Sequence, residues 1–122
     1  MESNKWGRCA WSYEFEKEKI HPEDVENFKF ICGQFVVFEC IGTDGEYIKV
    51  KLGSNTYRVK PEIFTELKEP KYKIGDIIRI KNISATILFN EWHNDKMEHY
   101  YYVAVNGKRK SRRYFESELS IM

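Results

Sequence analysis

Residues 73–119 read KIGDIIRIKNISATILFNEWHNDKMEHYYYVAVNGKRKSRRYFESEL, and this stretch decides the fold class. Gly75-Asp76 is a turn dipeptide set just before the run Ile77 to Ile80. That run is β-branched, which suits a pleated, half-buried surface. Ala85 to Trp92 comes next and alternates Ala85, Ile87 and Phe89 against Thr86, Leu88 and Asn90. His93 to Glu98 is polar, with Asn94-Asp95 as a turn signal. His99 to Val105 then resumes the alternation, with Tyr101, Val103 and Val105 on one face and Tyr100, Tyr102 and Ala104 on the other. Asn106-Gly107 follows at once. It is a strong hairpin signal, because a type I′ turn needs positive φ at both central residues. Lys108 to Phe115 is therefore predicted to pair back on His99 to Val105. Glu116 to Leu119 is predicted to form one closing turn.

Working outward, Tyr47 to Leu52 alternates cleanly, with Ile48, Val50 and Leu52 inward and Lys49 and Lys51 outward. Thr43 to Glu46 and Gly53 to Asn55 are the flanking turns. Tyr57 and Val59 point inward until Pro61 ends the strand. Phe35 to Ile41 is an apolar run broken only by Glu39, the pattern of a strand buried on both faces. Val25, Phe28 and Ile31 or Cys32 recur at spacings of three and four, which predicts a helix over 22–31 that starts at Pro22 and stops at Gly33. Tyr13 and Phe15 alternate with glutamates and suggest an edge strand. Glu62 to Leu67 reads as a short turn or helix burying Ile63, Phe64 and Leu67, and Lys68 to Tyr72 as a linker. The predicted core is Phe35, Val37, Ile48, Val50, Tyr57, Val59, Ile78, Ile80, Ile87, Phe89, Val103 and Val105.

Short strands with tight turns expose edges unless they curl. The strand order, the Asn-Gly hairpin and the acidic closing turn resemble an SH3-like barrel of the Tudor or KOW type. A fainter echo, Tyr47, Gly53, Arg58 and Glu62, keeps the spacing of Tyr101, Gly107, Arg112 and Glu116. The expectation is a mainly β protein. It comprises two small SH3-like β modules packed together, over residues 1–70 and 71–122, with one short helix near the N-terminus.

Composition narrows the setting. At 122 residues the chain holds one domain or two very small ones. No run approaches the roughly 18–20 apolar residues that a membrane span needs, and the first residues have no apolar leader core. Cys9, Cys32 and Cys40 are an odd set without a Cys-x-x-Cys spacing, so free thiols in a reducing compartment are expected. The expectation is a cytoplasmic protein with no membrane partner. Net charge is +1. It is unevenly spread, since residues 1–30 carry 5 basic and 7 acidic groups, 31–70 carry 5 and 6, and 71–122 carry 10 and 6.

The basic excess comes from Lys108, Arg109, Lys110, Arg112 and Arg113. In a strand these residues alternate faces, and neither set can enter a core unpaired, so an edge position follows. The cluster could hold phosphates, with Tyr100, Tyr102 and Tyr114 as stacking platforms. The plainer reading is an edge blunted by charge, with Arg112 or Arg113 paired to Glu116 or Glu118. Trp92 with Tyr100, Tyr102 and Tyr114 would line an aromatic pocket at a barrel mouth, or simply fill a core. His93, Asp95, Glu98 and His99 are ligand-type residues, but a polar hairpin loop needs the same residues, and no metal or other cofactor is expected. No phosphate loop or nucleophile elbow is present, so a non-catalytic binding module is expected. A protein partner, in an adaptor or immunity-like role, is the first expectation. Nucleic acid on the 108–113 strand is the alternative, and a small ligand or substrate at an unrecognised site is the third.

Several motifs stand in a fixed order. They are Trp6-Gly7, then Ile20-His21-Pro22-Glu23-Asp24 with Phe28, then Tyr57-Arg58-Val59-Lys60-Pro61 with Phe64. Gly75-Asp76, Trp92-His93 and Asn106-Gly107-Lys108 through Ser111-Arg112-Arg113-Tyr114 complete the set. Along nearly the whole chain this order resembles a family of small bacterial proteins known only as a domain of unknown function. The resemblance implies a bacterial cytoplasmic protein of about this length, and no activity.

Overall fold

The computed structural model describes residues 4–31 and 35–119. The protein is mainly β, with two antiparallel sheets and, among the described residues, one short α-helix. The chain divides into two compact units, Met1–Glu69 and Pro70–Met122.

The first unit contains β1 (Lys5–Cys9), α1 (Val25–Phe28), β2 (Phe38–Asp44), β3 (Tyr47–Leu52), β4 (Asn55–Val59) and β5 (Phe64–Leu67). Its sheet runs β4-β3-β2-β1-β5. Gly7 explains how β1 fits between its neighbours. A Cβ there would lie 2.3 Å from the Thr65 carbonyl oxygen and 2.6 Å from the Phe64 ring, so only glycine admits β5 so closely. The segment after Pro61 is not a helix. A single 3₁₀ turn, Pro61–Ile63, leads into β5, which pairs with β1 along Trp6↔Leu67 to Cys9↔Phe64. Tyr13 and Phe15 lie in a turn rather than an edge strand.

The helix predicted over 22–31 shrinks to the four residues of α1, flanked by hydrogen-bonded turns such as Asp24 N–H to the His21 carbonyl and Ile31 N–H to the Phe28 carbonyl. So short an element cannot stand alone. Phe28 anchors it, with its ring 5.2 Å from Trp11, 5.3 Å from Tyr57 and 5.7 Å from Phe38. Cys32 and Gly33 lie outside the described residues. Two expectations for the neighbouring run fail. Phe35 is exposed, and Ile41 is the extra residue of a bulge between Cys40 and Gly42, which turns it to solvent. The outer edge of β4 is covered by residues 19–21. Ile20 bridges to Val59, His21 N–H donates to the Arg58 carbonyl at 3.0 Å, and Lys60 N–H donates to the Lys19 carbonyl at 2.7 Å.

The second unit contains β6 (Ile77–Ile80), β7 (Ile83–His93), β8 (Glu98–Val105), β9 (Lys108–Arg109) and β10 (Tyr114–Phe115), closed by a 3₁₀ turn over Glu116–Glu118. Its sheet runs β10-β8-β7-β6, with β9 also on β8. Two tight turns link the meander. Asn106 and Gly107 have φ of 54° and 77°, as the Asn-Gly signal requires. Lys81 and Asn82 adopt the same hand, at 49° and 70°, with no glycine to announce it. Ile78, Ala85, Ile87, Tyr101, Val103 and Leu119 form the buried core. Tyr101 donates its hydroxyl to Glu116 at 2.6 Å, and burial, then this carboxylate, pushes its pKa far above the ordinary tyrosine value.

One predicted core residue changes sides. Ile87 faces Val103, but Phe89 faces Tyr102, so Leu88 is an extra residue in β7. Before this bulge the odd residues Ala85 and Ile87 are buried, and after it the even residues Asn90 and Trp92 are. Phe89 therefore leaves the core and joins the opposite face. Neither sheet closes into a barrel, because the terminal strands of each do not pair with one another. Edges that closure would have removed are handled locally, as at β4.

Candidate functional site

The five basic residues do not lie in one continuous strand. Val105 pairs with Lys108 and Ala104 with Arg109, and Lys110 N–H donates to the Val103 carbonyl at 2.9 Å. An unbroken ladder would next set Arg112 opposite Tyr101, yet Tyr114 stands there. Two residues therefore loop out between β9 and β10. The reason is physical. The position opposite Tyr101 belongs to the core side, where a guanidinium would lose its water without a counter-ion. Letting the chain slip by two places Tyr114 against that core and leaves Lys110 to Arg113 exposed.

This slip sorts the aromatic residues into two sets. Trp92 and Tyr114 fall on the core side, Trp92 only 4 % exposed and packed edge-on against His99 at 4.9 Å. Tyr100 and Tyr102 fall on the opposite face, so the four do not form one pocket. They are joined there by residues that the sequence did not single out for a site, Phe115, Phe89 and Lys96, and by His93. Phe115 was hidden by the slip and Phe89 by the bulge at Leu88.

The face is a layer of rings under a layer of cations. Tyr100 is its floor, with ring centroids 5.6 Å from Phe115, 6.1 Å from Tyr102 and 6.3 Å from His93. Its hydroxyl donates to Glu91 at 3.0 Å, and burial, followed by that carboxylate, lifts its pKa to about 12. Above the rings, Arg113 sits 4.8 Å from the Tyr100 centroid, Arg109 4.8 Å from Tyr102 and Lys96 4.2 Å from Phe115. Each such contact contributes about 0.5–1 kcal/mol at an exposed site. Among the described residues Arg112 alone of the cluster pairs with a carboxylate, Glu118, and its guanidinium lies over Tyr114 at 4.4 Å. Glu116 is engaged instead by Tyr101 and by the Lys71 N–H at 2.8 Å. Lys108, Arg109, Lys110 and Arg113 make no ion pair among the described residues and are exposed.

The ligand-type residues of the β7–β8 hairpin do not converge. His93 stands opposite Glu98 on the ring face, whereas His99 is fully buried on the other side, 3.2 Å from the Asn90 amide. Among the described residues no three His, Cys, Asp or Glu side chains come together as a metal site would require. No helix of the described residues is long and apolar enough to cross a membrane.

A model of a family of unknown function (DUF6960) matches residues 1–120. No curated protein and no solved structure matches the chain.

Proposed function

We propose that this chain, which belongs to that family of unknown function over residues 1–120, is a non-catalytic binding module whose ring-and-cation face engages an acidic surface of a partner protein. The observation that carries this reading is the unequal charge of the face. Arg109 and Arg113, exposed and without a carboxylate partner among the described residues, lie over half-buried Tyr102 and Phe115. Arginine and tyrosine are the residue types that dominate binding energy at protein interfaces. Guanidinium groups already held over rings also lose little freedom when a carboxylate arrives. The proposed role is that of an adaptor or immunity-like protein in a bacterial cytosol. The free thiols of Cys9 and Cys40 support a reducing compartment. An SH3-like ancestry of the second meander belongs to the same reading, supported by its Asn-Gly hairpin and closing turn.

Single-stranded nucleic acid is the second reading, favoured by one observation. The guanidinium groups of Arg109 and Arg113 lie over the Tyr102 and Tyr100 rings, which brings charge for phosphates beside aromatic surface for bases. The near-neutral net charge weighs against it. Capture from host lysate separates the two, using native protein and an Arg109→Glu/Arg113→Glu variant with and without nuclease. A stoichiometric protein that survives nuclease, elutes at about 0.5 M salt and is lost by the variant supports the proposal. Recovery of nuclease-sensitive RNA or DNA favours the second reading. A protein held equally by both forms would overturn the assignment of the face.

A further inference from the structure

β6 is the last strand of its sheet, and among the described residues its outer edge pairs with no strand. Asp76 C=O accepts from Ile87 N–H at 2.9 Å, so even-numbered residues of this segment turn their backbone groups toward β7. By the same alternation Ile77 and Arg79 turn theirs outward. Among the described residues nothing bonds them there. An open cleft runs beside this edge, lined by Lys71, Tyr72, Asp76, Ile77, Arg79 and Ser84. Ile77 is 74 % exposed, a large apolar side chain left in water next to unpaired backbone.

The charges select the occupant. Asp76 accepts from Lys73 N–H at 2.8 Å and so closes its own turn. Lys71 and Arg79 have no carboxylate partner among the described residues. A second copy pairing antiparallel about Ile78 would place Ile77 opposite Arg79 of its mate. The two Arg79 side chains would then become diagonal neighbours at about 7–8 Å, a like-charge arrangement. An acidic strand faces no such repulsion.

We infer that the outer edge of β6 accepts an extended, acidic peptide strand of a partner protein, antiparallel, with a carboxylate opposite Arg79 and a β-branched residue opposite Ile77. Backbone bonds to Ile77 and Arg79 supply affinity, and the cleft and Arg79 supply selectivity. In an antiparallel strand the acidic residue precedes the apolar one by two positions, which defines an acidic-x-apolar pattern. This site lies at the opposite edge of the sheet from β10, and either it or the ring-and-cation site can fail without the other.

The test is amide hydrogen exchange, followed by NMR, on the full chain with a blocked peptide of sequence Thr-Glu-Thr-Val-Thr at millimolar concentration. The expected result is about tenfold slower exchange at the Ile77 and Arg79 amides, with the Ile78 and Ile80 amides unchanged. A peptide with lysine in place of glutamate should bind about threefold more weakly, and Arg79→Glu should reverse that preference. Ile77→Pro removes one outward donor that the sheet does not use, so binding should vanish while the ladder amides stay protected. Unchanged exchange at both amides under saturating peptide would overturn the inference. Protection that exists without peptide and rises with protein concentration would overturn it too, since it would identify a second copy as the occupant. Arg79→Glu carries the test alone should Ile77→Pro fail to fold.

Discussion

Asp24 accepts three hydrogen bonds from Arg58, a residue 34 positions away: one from its backbone N–H and two from its guanidinium, at 2.8, 2.8 and 3.2 Å. Through these bonds the carboxylate ties the turn before α1 to β4. Burial alone would raise its pKa. The hydrogen bonds and charge of Arg58 prevail, so the folded value lies below the ordinary carboxylate range. A group depressed in this way contributes stability that is fully present above the unfolded value, about 4, and is lost as pH falls through the folded one. Asp24→Asn should therefore cost about 1–2 kcal/mol at neutral pH, a modest figure because the pair is partly exposed. In urea titrations the gap between native and variant should hold from about pH 7 to about pH 5 and close below about pH 4. A gap that widens in acid would contradict the assignment.

Among the elements, β7 carries the clearest lesson about what a sequence discloses. Its strand character, its partner β8 and the Asn106-Gly107 turn were all legible, because alternation and turn chemistry are local properties. The extra residue at Leu88 was not, since nothing in Ile87-Leu88-Phe89 distinguishes a bulge from a continued strand. The cost of missing it was Phe89 assigned to the core and Asn90 left out of it. The slip between β9 and β10 was hidden for a related reason. It is set by what the core opposite Tyr101 tolerates, which is a tertiary fact. In the first unit, β5 escaped notice because four residues give too little alternation to read. The bulge makes a sharp prediction. Leu88→Ala, at a position 37 % exposed, should change stability by no more than about 1 kcal/mol. Deleting Leu88 makes Ile87 and Phe89 consecutive, as their partners Val103 and Tyr102 already are, so Asn90 and Trp92 should stay inward and the second unit should keep its cooperative unfolding transition and near-ultraviolet dichroism. A deletion variant that loses both signals would contradict the assignment of Leu88 as the extra residue.

At the scale of the whole molecule, charge is divided rather than abundant. The 10 basic and 6 acidic residues over 71–122 offset the acidic excess of 1–70, leaving +1 overall. A polyanion should therefore sense the local field of one face and not the net charge. Association with poly-glutamate, followed by fluorescence anisotropy, should weaken steeply between about 0.05 and 0.5 M salt. Replacing Arg109 and Arg113 by glutamine should remove most of that salt dependence. Replacing Lys49 and Lys51, exposed on β3 and equal in formal charge, should leave it intact. Equal effects from the two pairs would mean that net charge governs binding. The covering of β4 by residues 19–21 has a consequence for assembly. In the language of polymers, a sheet must offer two reactive ends to act as a chain-growing monomer. With β4 capped, the first unit offers at most one, at β5, and behaves as a chain terminator. Copies joined through that end stop at two, and a fibre cannot grow from this sheet without first stripping the cap from Val59.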